Sequence, residues 1–291
     1  MTVLVAGGTG RLGRILVRSM AADGERMRVL TRDSAAADEL GARGIETVIG
    51  DLRDPEAVGR AVDGCSAVVA AASGFGPMGS SSPQNVDRDG NLALIDAARV
   101  AGVEHVVLVS MHGAAPDAPL ELLRMKFAAE NALVTSGVRW TIIRPAAFLE
   151  TYLDVIAQPM QKRGATLVFG RGDVPVNFVS VVDVAALIRL ALRDAGPSGR
   201  VIEWGGVNLT LNALSDAIHS AAGHPGKTMH VPLPVLRVAS VATRPFSPFA
   251  ARVTSAAVEM NARPGAFDAA PERARHPEIA VTTLAAAIAA G

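Results

Sequence analysis

Cysteine is nearly absent from this chain of 291 residues, since Cys65 is the single one. One cysteine cannot form an intramolecular disulfide or a multi-cysteine zinc site, so both are excluded. Because Cys65 stands just before an apolar segment, we expect a small buried residue there rather than a reactive thiol. The fold must therefore be held by an ordinary apolar core, for which a chain of this length is sufficient.

Neither sign of charge is in excess, because Lys plus Arg and Asp plus Glu both total 28. A balanced chain has no general attraction for nucleic acid or for anionic membranes, although a local patch is compatible with it. The sequence also lacks an apolar run long enough to cross a bilayer, and its N-terminus reads as a strand rather than a signal peptide. We therefore expect a cytoplasmic protein with no nucleic-acid partner and no stable membrane insertion.

The histidines lack the spacing that is typical of metal sites. None is paired with a second histidine or an acid in a way that would assemble a ligand set, so no metal is expected. The six are His105, His112, His219, His224, His230 and His276.

What the chain does have is a glycine-rich turn directly after its first apolar segment, Val3 to Ala6. An apolar helical pattern follows the turn, so the order is strand, glycine turn, helix. That order brings backbone N–H groups at a helix N-terminus close to the pyrophosphate of a dinucleotide, although the glycine spacing alone also occurs in tight turns. The residues predicted to meet the cofactor here are Gly7, Thr9, Gly10, Arg11, Leu12 and Gly13.

Strands and helices alternate along the first half of the chain. Apolar strands without clean alternation, each followed by an amphipathic helix, indicate a parallel sheet covered on both faces. The pattern predicts a doubly wound α/β domain (Rossmann fold) over residues 1–145. Its predicted strands are Thr2–Ala6, Met27–Thr31, Glu46–Ile49, Ala67–Ala72, His105–Ser110 and Arg139–Ile143, and its predicted helices are Arg11–Ala22, Ala35–Ala42, Pro55–Val62, Val86–Ala101 and Leu120–Ser136.

The regular alternation of strands and helices ends after Pro145. Residues 146–291 are predicted to form a smaller substrate lobe, from which some segments return to the first domain, because ligands of doubly wound folds bind beyond the carboxyl ends of the strands. The apolar stretches Val231–Val241 and Phe246–Val258 would cover a pocket, form a dimer face or act as a lid against lipids. Other predicted elements are strands at Thr166–Phe169, Val174–Val179 and Val201–Trp204, a helix at Val182–Arg193, and a helix from a Thr210 N-cap to Ala222.

A second group of candidate cofactor residues follows the next three strands. Arg32 ends the second strand, where a guanidinium pairs well with the 2′-phosphate of NADP, whereas Asp33 would bind the ribose of NAD if that strand ended later. We therefore expect NADP, with NAD as the alternative. Asp51 and Leu52 are placed to meet the adenine. After the fourth strand, small side chains let the backbone pass close to the cofactor, at Ala71 and Ala72 and also at Ala70.

These motifs together resemble the NmrA-like branch of the atypical extended short-chain dehydrogenase/reductases. The resemblance covers about the first two thirds of the chain and implies a Rossmann fold, an NAD(P) cofactor and reductase activity. It rests on Val5–Gly13, Gly50-Asp51-Leu52, Asn85-Val86-Asp87 with Gly90-Asn91, Val109-Ser110, Lys126 with Glu130, Thr141–Pro145 and Val181–Ala185.

One position departs from the pattern of that family. Family members with the usual dehydrogenase chemistry carry a tyrosine four residues before the lysine, and here that position is Leu122. The resemblance still implies that Lys126 faces the cofactor and binds its ribose hydroxyls, whereas in an arbitrary helix it would be a surface lysine. The chain's only tyrosine, Tyr152, would supply a phenol from another direction or line the pocket as an aromatic wall.

Two further catalytic candidates follow the fifth strand, beside the expected position of the nicotinamide. His112 would act as an acid or as a hydrogen-bond donor to the substrate, because imidazole changes charge near neutral pH. Ser110 would orient a carbonyl or cap the strand end. Pocket-lining candidates, with core packing as the alternative, are Phe148, Gln158, Phe178 and Trp204, while Arg144-Pro145 is expected to shape a turn and Asp183 to bind free amides at a helix start.

The residues support two hypotheses of function. The first is an NAD(P)H-dependent reductase of a small conjugated carbonyl, enone or quinone, with isomerisation or dehydration on a retained cofactor as a further option within the family. The second is a redox-sensing regulator that binds the dinucleotide without turnover and acts through a protein partner, because no DNA-binding module is evident. Leu122 keeps the second hypothesis open. A homodimer is compatible with either.

Overall fold

The computed structural model describes residues 1–76, 81–160, 164–193, 196–223 and 226–290, so that His224 lies outside the described residues. The chain divides into two compact units. Unit 1 comprises Met1–Pro145 and Val184–Glu203, and unit 2 comprises Ala146–Asp183 and Trp204–Gly291. The first of these boundaries falls after Pro145, where the rhythm of the sequence changes.

Unit 1 is built on a seven-stranded sheet whose strand order is β10-β6-β5-β4-β1-β2-β3. The pairings from β3 through β2, β1, β4 and β5 to β6 are all parallel. The doubly wound α/β fold is therefore confirmed. The strands are β1 Val3–Ala6, β2 Met27–Thr31, β3 Glu46–Ile49, β4 Ala67–Ala70, β5 His105–Val109, β6 Arg139–Pro145 and β10 Arg200–Trp204.

Five helices follow the strands of unit 1. They are α1 Arg11–Ala22, α2 Ser34–Gly41, α3 Pro55–Val62, α4 Asp89–Val100 and α5 Glu121–Thr135. A sixth, α7 Val181–Leu192, begins in unit 2 and returns to unit 1. Asp33 and Asp54 cap α2 and α3, because each carboxylate accepts hydrogen bonds from the first-turn N–H groups.

The segment before α4 is not the continuous α-helix that the pattern from Val86 predicts. Pro83–Arg88 form a π-helical turn, and α4 begins only at Asp89. A reciprocal capping box fixes this turn: Asn85 N–H donates to the Ser82 hydroxyl, and the Asn85 side-chain oxygen accepts from Ser82 N–H. The turn places Asp87, which is fully buried, against the centre of the unit.

The apolar core of unit 1 lies against the central strands. Leu4, Val68, Val106 and Ile142, one from each of four adjacent strands, are fully buried in one cluster. Cys65 belongs to the same cluster, and burial raises the pKa of its thiol, so the predicted buried structural residue is confirmed.

Unit 2 has two small sheets and its own core. One sheet has the order β11-β9-β7, and in the other β12 pairs in parallel with β8. Its strands are β7 Ala147–Phe148, β8 Ala165–Phe169, β9 Val176–Val179, β11 Val207–Leu209 and β12 Lys227–Val231. Its helices include α6 Leu149–Ala157, α8 Leu211–Ala221, α9 Leu233–Ala242, α10 Pro248–Ala262, α11 Ala270–Ala274 and α12 Leu284–Ala289.

Two predicted helix starts in unit 2 have different outcomes. The Thr210 N-cap is confirmed, because its side chain accepts from Ala213 N–H at the start of α8. Asp183 stands in the first turn of α7 and binds a backbone amide, as predicted, but this amide belongs to Thr282 and not to the start of α7. Its carboxylate accepts from the N–H and hydroxyl of Thr282, while the start of α7 is capped at Val181 N–H by Glu150.

None of the helices in the described ranges is both long enough and apolar enough to cross a membrane.

Candidate functional site

The N-terminus of α1 is open for an anion. Gly10 is the N-cap residue and has no side chain, the first turn contains no acidic residue, and no described side chain caps this end. The first N–H groups of an α-helix have no acceptor within the helix itself, and the helix dipole makes the site attractive to negative charge. The geometry suits the pyrophosphate that the sequence predicts here.

Glycine is required at two positions of the turn. Gly7 has a positive φ of 94°, and a Cβ there would lie 2.7 Å from the backbone carbon of Ala71. A Cβ on Gly13 would lie 2.1 Å from the carbonyl oxygen of Gly7. The turn, the start of α1 and the chain after β4 are therefore packed backbone against backbone, and a side chain at either glycine would push them apart.

A cleft opens beside this turn, at the carboxyl ends of β1 to β4. Eight of the predicted cofactor residues line this cleft, and two of them, Asp51 and Leu52, follow β3. The lining residues are Ala6, Gly7, Thr9, Gly10, Leu30, Thr31, Arg32, Gly50, Asp51, Leu52, Ala71, Ala72, Ser73 and Val86. The sheet order reverses between β1 and β4, which is where ligands of doubly wound folds bind.

Three residues of the predicted glycine-turn set do not line this cleft in the part of the chain that is described. Leu12 is buried in the core, and Gly13 packs on Gly7. Arg11 is exposed at the first position of α1. Of the lining residues that sequence reasoning missed, Ser73 carried no recognisable signal, whereas Gly50 and Val86 belong to quoted family motifs.

Arg32 and Asp33 have separate surroundings. The Arg32 Nη1 donates to the Ser81 hydroxyl at 2.9 Å and lies 3.5 Å from Asp51, and its side chain is 40% exposed at the cleft. Because β2 ends at Thr31, Asp33 falls beyond the strand and its carboxylate caps α2. The condition under which Asp33 would bind a ribose is therefore not met.

Asp51 is an ionised carboxylate at the edge of the cleft. Its two oxygens accept hydrogen bonds from the Arg53 guanidinium at 2.8 and 2.7 Å, and Oδ1 also accepts from Arg53 N–H. The side-chain hydrogen bonds from Arg53 lower the pKa of Asp51 to about 2, against the opposing effect of burial. Asp51 therefore places a fixed negative charge beside the part of the cleft where the adenosine is expected to bind.

Lys126 is buried in unit 1 rather than exposed on α5. Its Nζ lies 2.9 Å from the carboxylate of Asp87 and donates to the Val109 carbonyl at 2.9 Å. Lys126 is not among the described residues that line the cleft. One turn earlier on α5, Leu122 is also buried. The assignment of Lys126 to the cofactor ribose stays a prediction.

Asp87 links Lys126 to the cleft wall. Its second carboxylate oxygen accepts from Gly74 N–H at 2.8 Å, in the loop that follows β4. The neighbouring Ser73 lines the cleft. The Asp87 carboxylate thus holds the cleft loop, while its ion pair with Lys126 fixes the same carboxylate against α5.

A second polar chain runs along the carboxyl ends of β5, β6 and β10. The Ser110 hydroxyl donates to Glu130, and Glu130 forms a bidentate pair with Arg144, whose Nε and Nη2 donate at 2.9 and 2.6 Å. Arg144 also donates to Glu203 at 3.0 Å. The expectation that Arg144 shapes a turn is wrong, because β6 continues through Pro145 and Arg144 is a strand residue in an ion-pair network.

His112 is the half-exposed end of this chain. Its Nδ1 lies 2.6 Å from the second oxygen of Glu203, and its backbone N–H donates to the Pro145 carbonyl. Burial would raise the pKa of Glu203, but the hydrogen bonds from His112 and Arg144 outweigh it, and the net shift is downward. The ionised Glu203 therefore fixes the orientation of the His112 ring.

Glu203 was not identified from the sequence, and no role was predicted for Glu130 or Asp87. Glu203 stands in an alternating strand with no motif around it, so only the pairing of β10 with β6 brings it to Arg144. Glu130 and Asp87 were visible as parts of family motifs. Their partners lie 14 and 39 positions away along the chain and could not be read from local spacing.

The pocket candidates after Pro145 lie in unit 2. Phe178 and Trp204 are fully buried core residues, Gln158 is exposed just after α6, and Phe148 is half-buried. Tyr152 packs edge-to-face on Phe178 with ring centroids 5.2 Å apart. Burial raises the pKa of the Tyr152 phenol to about 12, so this phenol is a poor proton donor near neutral pH.

No group of three or more His, Cys, Asp or Glu side chains in the described residues is arranged to hold a metal ion. His105, His219 and His276 are buried and contact neighbouring side chains.

Comparison with known proteins connects this geometry to a family and to several relatives. A family model described as NAD(P)H-binding matches residues 7–195. The NAD(P)H azoreductase of Xenophilus azovorans is 32% identical over 232 residues, which cover 79% of this chain and 77% of that protein. The photosystem II assembly factor Ycf39 of Trieres chinensis is 29% identical over 241 residues, covering 82% and 75%.

A similar fold occurs in a solved structure with a bound cofactor. The crystal structure of the Citrobacter sp. triphenylmethane reductase complexed with NADP(H) superimposes with a TM-score of 0.81 at 20% identity, covering 100% of this chain and 99% of that one. At this identity the likeness concerns the fold.

Proposed function

Because this chain belongs to the NAD(P)H-binding family, of the NmrA-like atypical short-chain dehydrogenase/reductase type, we propose that it is an NAD(P)H-dependent reductase of small conjugated acceptors, such as quinones, enones or carbonyls. When bound, the reduced nicotinamide supplies a hydride, which is chemistry of the cofactor itself. The protein has to bind and orient the cofactor, exclude competing reactions and supply a proton.

The residues of the cleft fit the cofactor. The N-terminus of α1, which has no acidic residue in its first turn and no side-chain cap at Gly10, would hold the pyrophosphate, and the close backbone packing at Gly7 and Gly13 leaves the space that a phosphate needs. Arg32 would pair with the 2′-phosphate of NADP, and the Asp51 and Leu52 region would meet the adenine. This set supports NADPH as the preferred cofactor, with NADH as the alternative.

The observation that carries the catalytic proposal is the pair formed by His112 and Glu203. Addition of a hydride to a quinone or enone leaves an anion on the acceptor, which must gain a proton. His112 would donate that proton, and Glu203, 2.6 Å from its Nδ1, would hold the ring in position. Because the Ser110 hydroxyl is directed at Glu130, Ser110 would act as a positioning residue of the network rather than as a donor to the acceptor.

One relative supports this class of acceptor. It is named an NAD(P)H azoreductase, and an azo group is a conjugated acceptor. Such acceptors accept a hydride without a phenol that first protonates them, so a site with Leu122 in place of the family tyrosine is compatible with this chemistry.

The consumption of NADPH in the presence of an acceptor panel tests the proposal. The panel contains a benzoquinone, a cyclic enone, an azo dye, a triphenylmethane dye and a saturated ketone. We expect turnover with the conjugated acceptors and little with the saturated ketone. Tight binding of NADPH with no oxidation by any acceptor would reject the reductase.

A regulator without turnover is the second candidate, and Lys126 and Leu122 favour it. The ammonium of Lys126 is paired with Asp87, and the buried Leu122 stands where the family has its tyrosine. The proton transfer that the tyrosine and lysine usually perform together therefore has no phenol here. A relative named as an assembly factor fits a binding role. This candidate predicts cofactor binding that changes the capture of a protein partner and leaves NADPH unconsumed.

A further inference from the structure

Helix α9 and the turn after it expose an apolar surface on unit 2. Val235, Val238 and Val241 recur every three residues and are 54%, 68% and 61% exposed, and Phe246 in the turn is 89% exposed. We call these four residues the α9 patch. The opposite side of the helix holds Leu236, which is buried where α9 packs on α10. Helix α9 thus has one apolar face that is buried and a second apolar face that is exposed. An exposed apolar face of this kind indicates a surface that another molecule covers.

The segment around the patch is basic, although the chain as a whole is neutral. No aspartate or glutamate occurs between Asp216 and Glu259, and four Lys or Arg residues stand in that interval. Two of them are exposed: Arg237 lies on α9 next to Val238, and Arg244 lies in the turn after α9, two residues before Phe246. An apolar face bordered by arginines is the pattern of helices that lie in a membrane interface.

We propose that the α9 patch docks on the surface of an anionic lipid membrane. The valines and Phe246 enter the boundary between headgroups and acyl chains, and the exposed Arg237 and Arg244 beside them pair with lipid phosphates. The ten residues of α9 are too few to span a bilayer, so the association is peripheral. A second copy of the chain is a poorer occupant, because the same segment would bring arginines and no carboxylate to the guanidiniums.

Vesicle flotation with the full-length protein tests this proposal. We expect the protein to float with vesicles of phosphatidylcholine mixed with phosphatidylglycerol, to stay behind with phosphatidylcholine alone, and to be released by high salt. Each of Arg237→Glu and Arg244→Glu should weaken the apparent lipid affinity by about fivefold or more, because a basic residue near an anionic surface contributes on that scale. Val238→Glu should weaken it by about tenfold, since it places a charge in the apolar face.

Matched variants separate this surface from general effects. Val100→Glu changes a valine that is 71% exposed at the end of α4, and Arg60→Glu changes an exposed arginine on α3; both should float as the wild type does. Phe246→Ser, in an exposed turn, gives a second apolar variant if Val238→Glu folds poorly. No flotation of the wild type, or equal losses in the Val100 and Arg60 variants, overturns the proposal. A dimer in light scattering that Val238→Glu dissociates, without lipid binding, assigns the patch to self-association instead.

Discussion

The ammonium nitrogen of Lys126 lies 2.9 Å from a carboxylate oxygen of Asp87, and both side chains are buried. Gly74 N–H donates to the other carboxylate oxygen, so the pair connects α5 to the loop at the cleft. Burying two charges costs much of what their attraction returns, but removing one partner leaves the other charge without compensation. The pair therefore stabilises the loop that forms this wall of the cleft.

Lys126→Ala should lower the free energy of unfolding by about 3–5 kcal/mol, because it leaves the Asp87 charge buried and unpaired. Urea unfolding at neutral pH measures the loss. Val134→Ala, at an exposed position of the same helix, should change stability by less than about 0.5 kcal/mol.

The double variant Lys126→Ala, Asp87→Asn should recover part of that loss, since the uncompensated charge is gone while an acceptor for Gly74 remains. Wild-type stability in Lys126→Ala, combined with a large loss of cofactor affinity, would instead assign Lys126 to the ribose.

Gly13→Ala should abolish cofactor binding and destabilise the fold, because its Cβ would lie 2.1 Å from the Gly7 carbonyl oxygen. Gly59→Ala is the matched control in helix α3, where a Cβ meets no atom within 4 Å. It should stabilise the protein by about 0.5–1 kcal/mol through helix propensity. Thermal unfolding and NADPH fluorescence titration measure both effects. Normal NADPH affinity in Gly13→Ala would contradict the position of the pyrophosphate.

Arg32→Ala should lower the affinity for NADPH by about tenfold and leave that for NADH nearly unchanged, because a charge-assisted pair with the 2′-phosphate is lost. Titration of each dinucleotide gives the ratio of the two dissociation constants. Arg43→Ala, an exposed arginine after α2 that pairs with Glu39, serves as the control. If the ratio is the same in wild type and Arg32→Ala, the phosphate is bound elsewhere.

His112→Gln should lower kcat by about a hundredfold with a conjugated acceptor and leave the NADPH dissociation constant unchanged, since it removes the proton donor and no cleft residue. Glu203→Gln should give a smaller loss of kcat, because it keeps His112 but weakens the short contact that orients its ring. His230→Gln, at an exposed position in unit 2, is the control. An unaffected kcat in His112→Gln would show that the proton comes from another source.

Acid should destabilise the protein in part through His105. Burial, together with the charge of Arg139, lowers the pKa of His105 from 6.5 to about 4. The folded state then binds fewer protons than the unfolded chain, so the contribution of this residue is complete above pH 6.5 and is lost as the pH falls toward 4. That loss should amount to about 3 kcal/mol.

His105→Gln should therefore show a shallower decline of stability over this range in urea unfolding. The Nε2 of His105 contacts the Thr141 hydroxyl, which donates to the Pro197 carbonyl, and a glutamine amide can replace the ring as a donor. Parallel declines in the two proteins would show that His105 carries no part of the acid sensitivity.

The sequence by itself determined the architecture of unit 1 and the position of the glycine turn. Four of its strands or helices, Met27–Thr31, Glu46–Ile49, Arg11–Ala22 and Pro55–Val62, have the predicted bounds. Their signals are local: apolar runs, helical periodicity and the glycines that a turn requires. The cofactor class followed for the same reason, because the turn and the helix N-terminus are neighbours along the chain.

Tertiary structure alone decided the polar networks. Lys126 meets Asp87 because the π-helical turn at Pro83–Arg88 rotates that carboxylate inward, and Glu203 meets His112 because β10 returns to the edge of β6. Such contacts join residues that are far apart in the chain, and they depend on strand order and on burial, neither of which a local pattern contains. A buried charge needs a partner, and the fold supplies Asp87 as the partner of Lys126, a contact that no local pattern in the sequence indicates.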